Sequence, residues 1–278
     1  KMNKKSTIFH SIKDNLSQII ALTEKNLKLE TRFKFNLITA FLTPIITILM
    51  PMIIMGQFFQ FRDHIGTWDE SNFLVFQFIA YNIYLVKAII VDFPYQLRIE
   101  KFWKTLPSII IAPFNRFNLL LGVLLSFLII ISIPFMILFI ICWFYYPISF
   151  FSIISIFIIY LLITFIFSGI GLFLGVYAIS NENIFRIFNF LINLIFWASC
   201  ITYPFELFPS IFQALFNLNP LYYIFDILRI SWIQNNIIFT ISSFPIHFII
   251  LILTSVIIPL IGVYNFNKTY NKYGIVGY

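Results

Sequence analysis

The chain has 278 residues, of which 60% are hydrophobic and 10% charged, and its mean hydropathy is +0.94. So few charged side chains cannot coat a soluble globule of that size, so the composition excludes a water-soluble enzyme or binding domain and requires an integral membrane protein. The formal net charge of +7 does not call for nucleic acid, because the basic residues are distributed by membrane side and build no continuous patch.

The first 34 residues are charged throughout and contain no apolar run of signal-peptide length, so insertion is expected to rest on the first span. Within them Ile8, Ile12, Leu16, Ile19, Ile20, Thr23 and Leu27 recur at helical spacing. Lys13, Glu24, Lys25, Lys28 and Arg32 fall largely on other faces, which predicts an amphipathic helix lying in the membrane interface. Eight Lys or Arg before residue 35 favour contact with an anionic inner leaflet over packing on a partner alone. A first span is predicted from about Phe35 to Phe58, bent at Thr43-Pro44 and Pro51, and a second from about Phe73 to Phe93. The polar loop between them, Gln57 to Asn72, carries Arg62, Asp63, His64, Asp69 and Glu70 and is placed outside.

From Arg98 to Arg116 the chain reads RIEKFWKTLPSIIIAPFNR, a charged amphipathic insert between apolar blocks, and its basic bias places it on the cytoplasmic side. No charged residue then occurs between Arg116 and Glu182. As one helix those 65 positions would measure roughly 98 Å, so they must cross a hydrocarbon core of about 30 Å twice. Tyr145-Tyr146-Pro147 supplies the turn. A fifth span is predicted from about Ile184 to Tyr203 and a sixth from about Ile237 to Tyr264, followed by a tail with Lys268 and Lys272. Between them lie Tyr203-Pro204-Phe205-Glu206-Leu207-Phe208-Pro209, Asn219-Pro220 and the charged pair Asp226 and Arg229. That stretch is too broken for a span and too apolar for a loop, which predicts two short helices dipping into the outer leaflet over about 204–234.

Charge tests this topology. The eight early basic residues, four in the insert, Arg186 and two tail lysines fall inside, whereas Arg62 and Arg229 fall outside and Lys87 within span two. The expected fold is therefore an all-α integral membrane protein of the cytoplasmic membrane with six transmembrane helices and both termini cytoplasmic. It comprises an interfacial helix over 1–34, one six-span domain over 35–264 with a cytoplasmic helix at about 97–113, and a tail over 265–278.

Several residues invite a functional reading. Lys87 sits about six residues before the predicted end of span two, where it either snorkels to the headgroups or lines a pathway for an anionic headgroup. In the hairpin, Asp226 and Arg229 are spaced for a structural i,i+3 pair, and Tyr203, Glu206, Asp226 and Arg229 are candidates for a gate or substrate contact. Gly171-x-x-x-Gly175, preceded by Ser168 and Gly169, forms a small-residue face for close helix packing. The 37 Phe are read as lipid-facing and core packing. Cys142 and Cys200 fall in spans as buried thiols whose pairing the sequence leaves open, and His10, His64 and His247 have no metal-ligand spacing. No glycine is followed by Lys, so there is no G-x-x-x-x-G-K-[ST] phosphate loop and the chain is expected to be no enzyme and to bind no cofactor itself.

Two signatures carry a family resemblance. Glu100, Thr105, Leu106, Pro113 and Arg116 fall on matching positions of R-E-x-E-x-G-T-L-E-x-L-L-x-T-P-x-x-R, with Lys104, Pro107 and Ala112 departing from it. Tyr203-Pro204, Glu206, Pro209, Asn219-Pro220-Leu221, Asp226 and Arg229 resemble Y-P-x-E-x-x-P…N-P-L-x-x-x-x-[DE]-x-x-R. In order, they resemble the permeases of ABC-2 type transporters. The resemblance implies a permease subunit of an ABC exporter that moves an amphipathic, lipid-like or lipid-linked substrate, pairs with a second permease copy in the lipid bilayer, and docks a separate ATPase subunit that holds ATP and Mg2+. It implies a coupling helix whose ATPase-facing residues are Arg98, Glu100, Lys101, Trp103, Lys104, Thr105 and Leu106. The alternatives are a motor-free channel or scaffold, a mechanotransmitting ABC subunit, and a membrane-embedded transferase, for which no acid, base and nucleophile cluster is present.

Overall fold

The computed structural model describes residues 4–32, 34–62, 64–104 and 116–273, and every described element of regular structure is helical apart from one isolated bridge between Ile65 and Trp68. α1 (Lys4–Arg32) and α2 (Lys34–Phe59) are followed by α3 (Phe73–Phe102), α4 (Arg116–Tyr145) and α5 (Phe150–Ser180). α6 (Glu182–Trp197), a single 3-10 turn at Phe205–Leu207, α7 (Ser210–Phe216), α8 (Pro220–Gln234), α9 (Ile237–Ser243) and α10 (Pro245–Tyr273) complete the order. Five of these, α2, α3, α4, α5 and α10, are long and apolar enough to cross a membrane.

The chain's asparagines start many of these helices. Asn181, Asn219 and Asn236 each accept a backbone N–H of the first turn, and Ser149 does the same for α5, satisfying donors that a helix start leaves open. α4 ends at Tyr145 and α5 begins at Phe150, so the uncharged stretch turns at Tyr146 to Ser149.

Two expected spans differ. α6 stops at Trp197, six residues short of Tyr203, and its 16 residues measure about 24 Å, less than a hydrocarbon core of about 30 Å. Ala198 to Ser199 turn and Cys200 takes a left-handed φ of 53°. The sixth span begins at Pro245 rather than Ile237: the residue before a proline is driven out of the helical region, Phe244 has φ −128° and ψ 55°, and α9 becomes a separate two-turn helix. α10 then continues through Lys268 and Lys272 to Tyr273, so much of the expected tail is helix.

α5 is the central post. Gly171 and Gly175 lie against α3, where a Cβ at Gly171 would come 2.9 Å from the Ile89 carbonyl and one at Gly175 2.6 Å from Leu97 Cδ1. Its opposite side meets α10 through Gly169, which lies against Pro259, while Gly262 lies against the Gly169 carbonyl. Absent side chains let the backbones approach at both faces. The main core stacks Phe135, Phe139, Phe157 and Tyr160 against Phe78 and the fully buried Trp232 of α8. α8 is thus part of the core, deeper than a surface hairpin.

Candidate coupling and translocation sites

At one end of the bundle α3 carries Arg98, Glu100 and Lys101 in its last turns. Arg98, Glu100 and Lys101 continue the helix of the span, and Trp103 and Lys104 form the turn that closes it, Lys104 with a left-handed φ of 60°. The described part of the expected helix at 97–113 is thus the end of α3, and Thr105, Leu106, Pro107, Ala112 and Pro113 lie outside the described residues. Their neighbours point in different directions. Glu100 is 6% exposed, shares the inward stripe of Phe93 and Leu97, and accepts from the Lys25 ammonium of α1. Its carboxylate therefore faces α1 and not open solvent. Lys101 donates to the Ile179 carbonyl at 2.8 Å, serving one of the open acceptors at the end of α5, and Arg98 lies over the Phe185 ring of α6 at 5.9 Å. Phe102, Trp103 and Lys104 are exposed.

α1 docks on this end through polar and small groups. Asn118 Nδ2 donates to Asn15 Oδ1 and Gln18 Oε1 at 2.7 Å each, and Thr23 Oγ1 donates to the Gly122 carbonyl at 3.3 Å. Leu22 presses on Gly122, where a Cβ would meet it at 2.6 Å. Leu16 and Ile20 remain exposed on another face, so α1 offers protein a polar stripe and the surroundings an apolar one. Gln96 Nε2 donates to Glu30 Oε1 at 3.4 Å, and burial pushes the Glu30 carboxyl above its ordinary range.

Half-way along α3, Lys87 donates to Asn193 Oδ1 of α6 at 2.9 Å and lies over the Phe196 ring at 4.5 Å. With α3 running on to Phe102, the lysine lies mid-helix, eleven residues or roughly 16 Å before Arg98, where the charged last turns begin.

At the other end the motif residues repair broken helices. Arg229 is 2% exposed, donates to the Cys200 and Ile201 carbonyls at 2.8 Å each, and lies over the Phe76 ring at 3.9 Å. Asn219 Nδ2 donates to the Ile195 and Ala198 carbonyls at 2.7 and 3.0 Å, while its Oδ1 accepts the Leu221 N–H. Asn219 thus serves an open acceptor of the last turn of α6 and that of its cap, and Arg229 serves the carbonyls of the turn that follows. The expected Asp226 to Arg229 ion pair is not formed: the guanidinium faces the backbone, and Asp226 Oδ2 instead pairs with His247 Nε2 of α10 at 3.2 Å. Glu206 packs over Gly66, whose φ of 62° turns the loop before α3. Tyr203 and Leu207 pack against the cluster that Met55, Phe59, Ile65, Trp68, Phe73 and Phe76 form.

The structure therefore joins Arg98, Glu100 and Lys101 to α1, α5 and α6, and joins Glu206, Asp226 and Arg229 to different partners at the far end, with Lys87 alone between. Sequence reasoning missed Lys25 and His247 as partners, since nothing local marks a contact across 75 residues or from α8 to α10. Among the described residues no group of three His, Cys, Asp or Glu could hold a metal. Residues 17–233 match the sequence model of a known family, described as ABC-2 type transporter. No curated protein matches the chain.

Proposed function

The chain belongs to the ABC-2 type transporter family and is the permease subunit of an ABC transporter in a membrane, and from this we propose that it exports an amphipathic, lipid-like or lipid-linked substrate across the cytoplasmic membrane. The family match over most of the chain carries this reading. ATP and Mg2+ are held by a separate ATPase subunit, and this chain itself catalyses no reaction. Two permease copies form the path, with α6 as a short sixth span and both termini cytoplasmic, so that the α1 end faces the ATPase.

In this reading Phe102, Trp103 and Lys104 are the described residues that touch the ATPase. A push there moves α3 as one rod, since the charged turns and the span are the same helix. Glu100 acts through Lys25 as a positioning residue: it ties α1 to that rod. The test is to co-express the full chain with an ATP-binding cassette ATPase from the same genome, purify through a tag on the permease, and assay ATP hydrolysis. Co-purified ATPase activity that Trp103→Ala lowers supports the reading. Absence of any associated ATPase, with the permease folded, overturns it in favour of a motor-free channel or scaffold.

A further inference from the structure

The seam between α3 and α6 carries a register that the transport reading leaves unused. Lys87 and Arg98 are eleven residues apart on α3, three helical turns, so they share one face about 16 Å apart. Phe185 and Phe196 are also eleven apart on α6, and they meet the cations in reverse order, Arg98 over Phe185 at 5.9 Å and Lys87 over Phe196 at 4.5 Å. The two helices run antiparallel, joined by two cation–ring rungs. Between the cations, Val91 and Tyr95 are exposed along the same side of α3.

The inner rung is built to present charge. Asn193 donates its own amide to the Asn189 carbonyl at 2.8 Å, which turns its Oδ1 toward Lys87. An ammonium has three donors, and among the described residues no carboxylate lies within ion-pair distance of this one. An intramembrane cation whose neighbours are a neutral amide and ring faces is a costly arrangement unless an anion visits it.

We propose that the α3–α6 seam is a binding track for the anionic headgroup of an amphipathic molecule, received at Arg98 and selected by charge at Lys87. Lys87 holds the headgroup in place of a protein carboxylate, and the exposed apolar flank between the rungs accommodates the tail. This names the substrate class for the export proposed above and rests on that reading for direction, but not for binding.

The test uses the purified full-length chain in phosphatidylcholine nanodiscs, titrated with radiolabelled dodecyl phosphate, with dodecyl maltoside as the neutral amphiphile and inorganic phosphate as the free anion. Dodecyl phosphate is expected to bind saturably and at least about tenfold more tightly than the maltoside. Lys87→Arg keeps that affinity, Lys87→Gln weakens it by about tenfold while keeping a partner for Asn193, Arg98→Gln weakens it less, and Lys268→Gln leaves it unchanged. Equal binding to Lys87→Gln, equal binding of the maltoside, or competition by inorganic phosphate as strong as that of dodecyl phosphate overturns the proposal. Should Lys87→Gln fail to fold, the phosphate-to-maltoside ratio on the unmodified chain decides it. Loss of the ATPase partner in the preceding experiment would remove the export reading and leave this result standing.

Discussion

At the hairpin end Arg229 and Asn219 direct their donors at backbone carbonyls at the end of α6 and in the turn after it, whereas at the α1 end Lys25, Asn118 and Gln96 bridge to side chains of a different helix. The first pattern repairs a break inside the core. The second fastens one finished helix to another. A carbonyl orphaned in the core has no alternative partner, but α1 can leave its seat and meet water, so the hairpin end is a fixed part of the fold and the α1 end a joint. In the coupling proposed above, the push from the ATPase meets the joint and not the fixed end.

Arg229→Ala should show the largest effect, about 3 kcal/mol or more, because two buried carbonyls lose their donors and a cavity opens over Phe76. Thermal unfolding in detergent would read it, and a Tm within a degree of the unmodified chain would break the contrast. Asn219→Ala removes two donors and a helix cap at once, with about 2 kcal/mol expected in the same assay. Gly171→Val forces a methyl into the Ile89 carbonyl and Phe93, for about 1–3 kcal/mol, and should also loosen the α3–α5 packing seen by crosslinking.

How far the sequence displayed these two ends differs. The all-helical fold, the turn near residues 145–147 and the position of the hairpin follow from charge gaps, prolines and length alone. The asparagine and arginine of the hairpin were visible as residues but not as caps, because the early end of α6 that creates their acceptors depends on α8 filling the core beside it. Asp226 and Arg229 have the spacing of an ion pair, and the tertiary structure overrides it: the guanidinium finds two carbonyls, and His247 arrives from α10. Glu100 resembled a surface charge because the flanking Lys101 and Lys104 are exposed or outward-reaching, and only the docking of α1 reveals its inward aim.

At the joint the effects should be smaller. Lys25→Ala or Glu100→Gln is expected to cost about 1 kcal/mol, moderated because the lysine is partly exposed, and to raise protease cutting within α1 before global unfolding. A global Tm loss matching Arg229→Ala would erase the distinction between repair and joint. The smallest effect is a pH dependence. Burial raises the Glu30 carboxyl in the fold above its unfolded value, so its contribution is fully present below the unfolded carboxylate range and is lost as pH rises through the raised one. Protease cutting of α1 should therefore increase with pH across that window, and Glu30→Gln should flatten the change.

A charge swap across the joint in the assembled transporter tests the role of the Lys25–Glu100 contact most directly. The permease is co-purified with its ATPase in four forms, unmodified, Lys25→Glu, Glu100→Lys and both together, and ATP hydrolysis is compared in lipid vesicles. Each single substitution should uncouple hydrolysis from the permease and the double substitution should restore a large part of the coupling, because the joint needs opposite charges and not a particular order of them. A double variant no better than either single one, or single variants that hydrolyse ATP as the unmodified complex does, would contradict the claim that the Lys25–Glu100 joint couples α1 to α3.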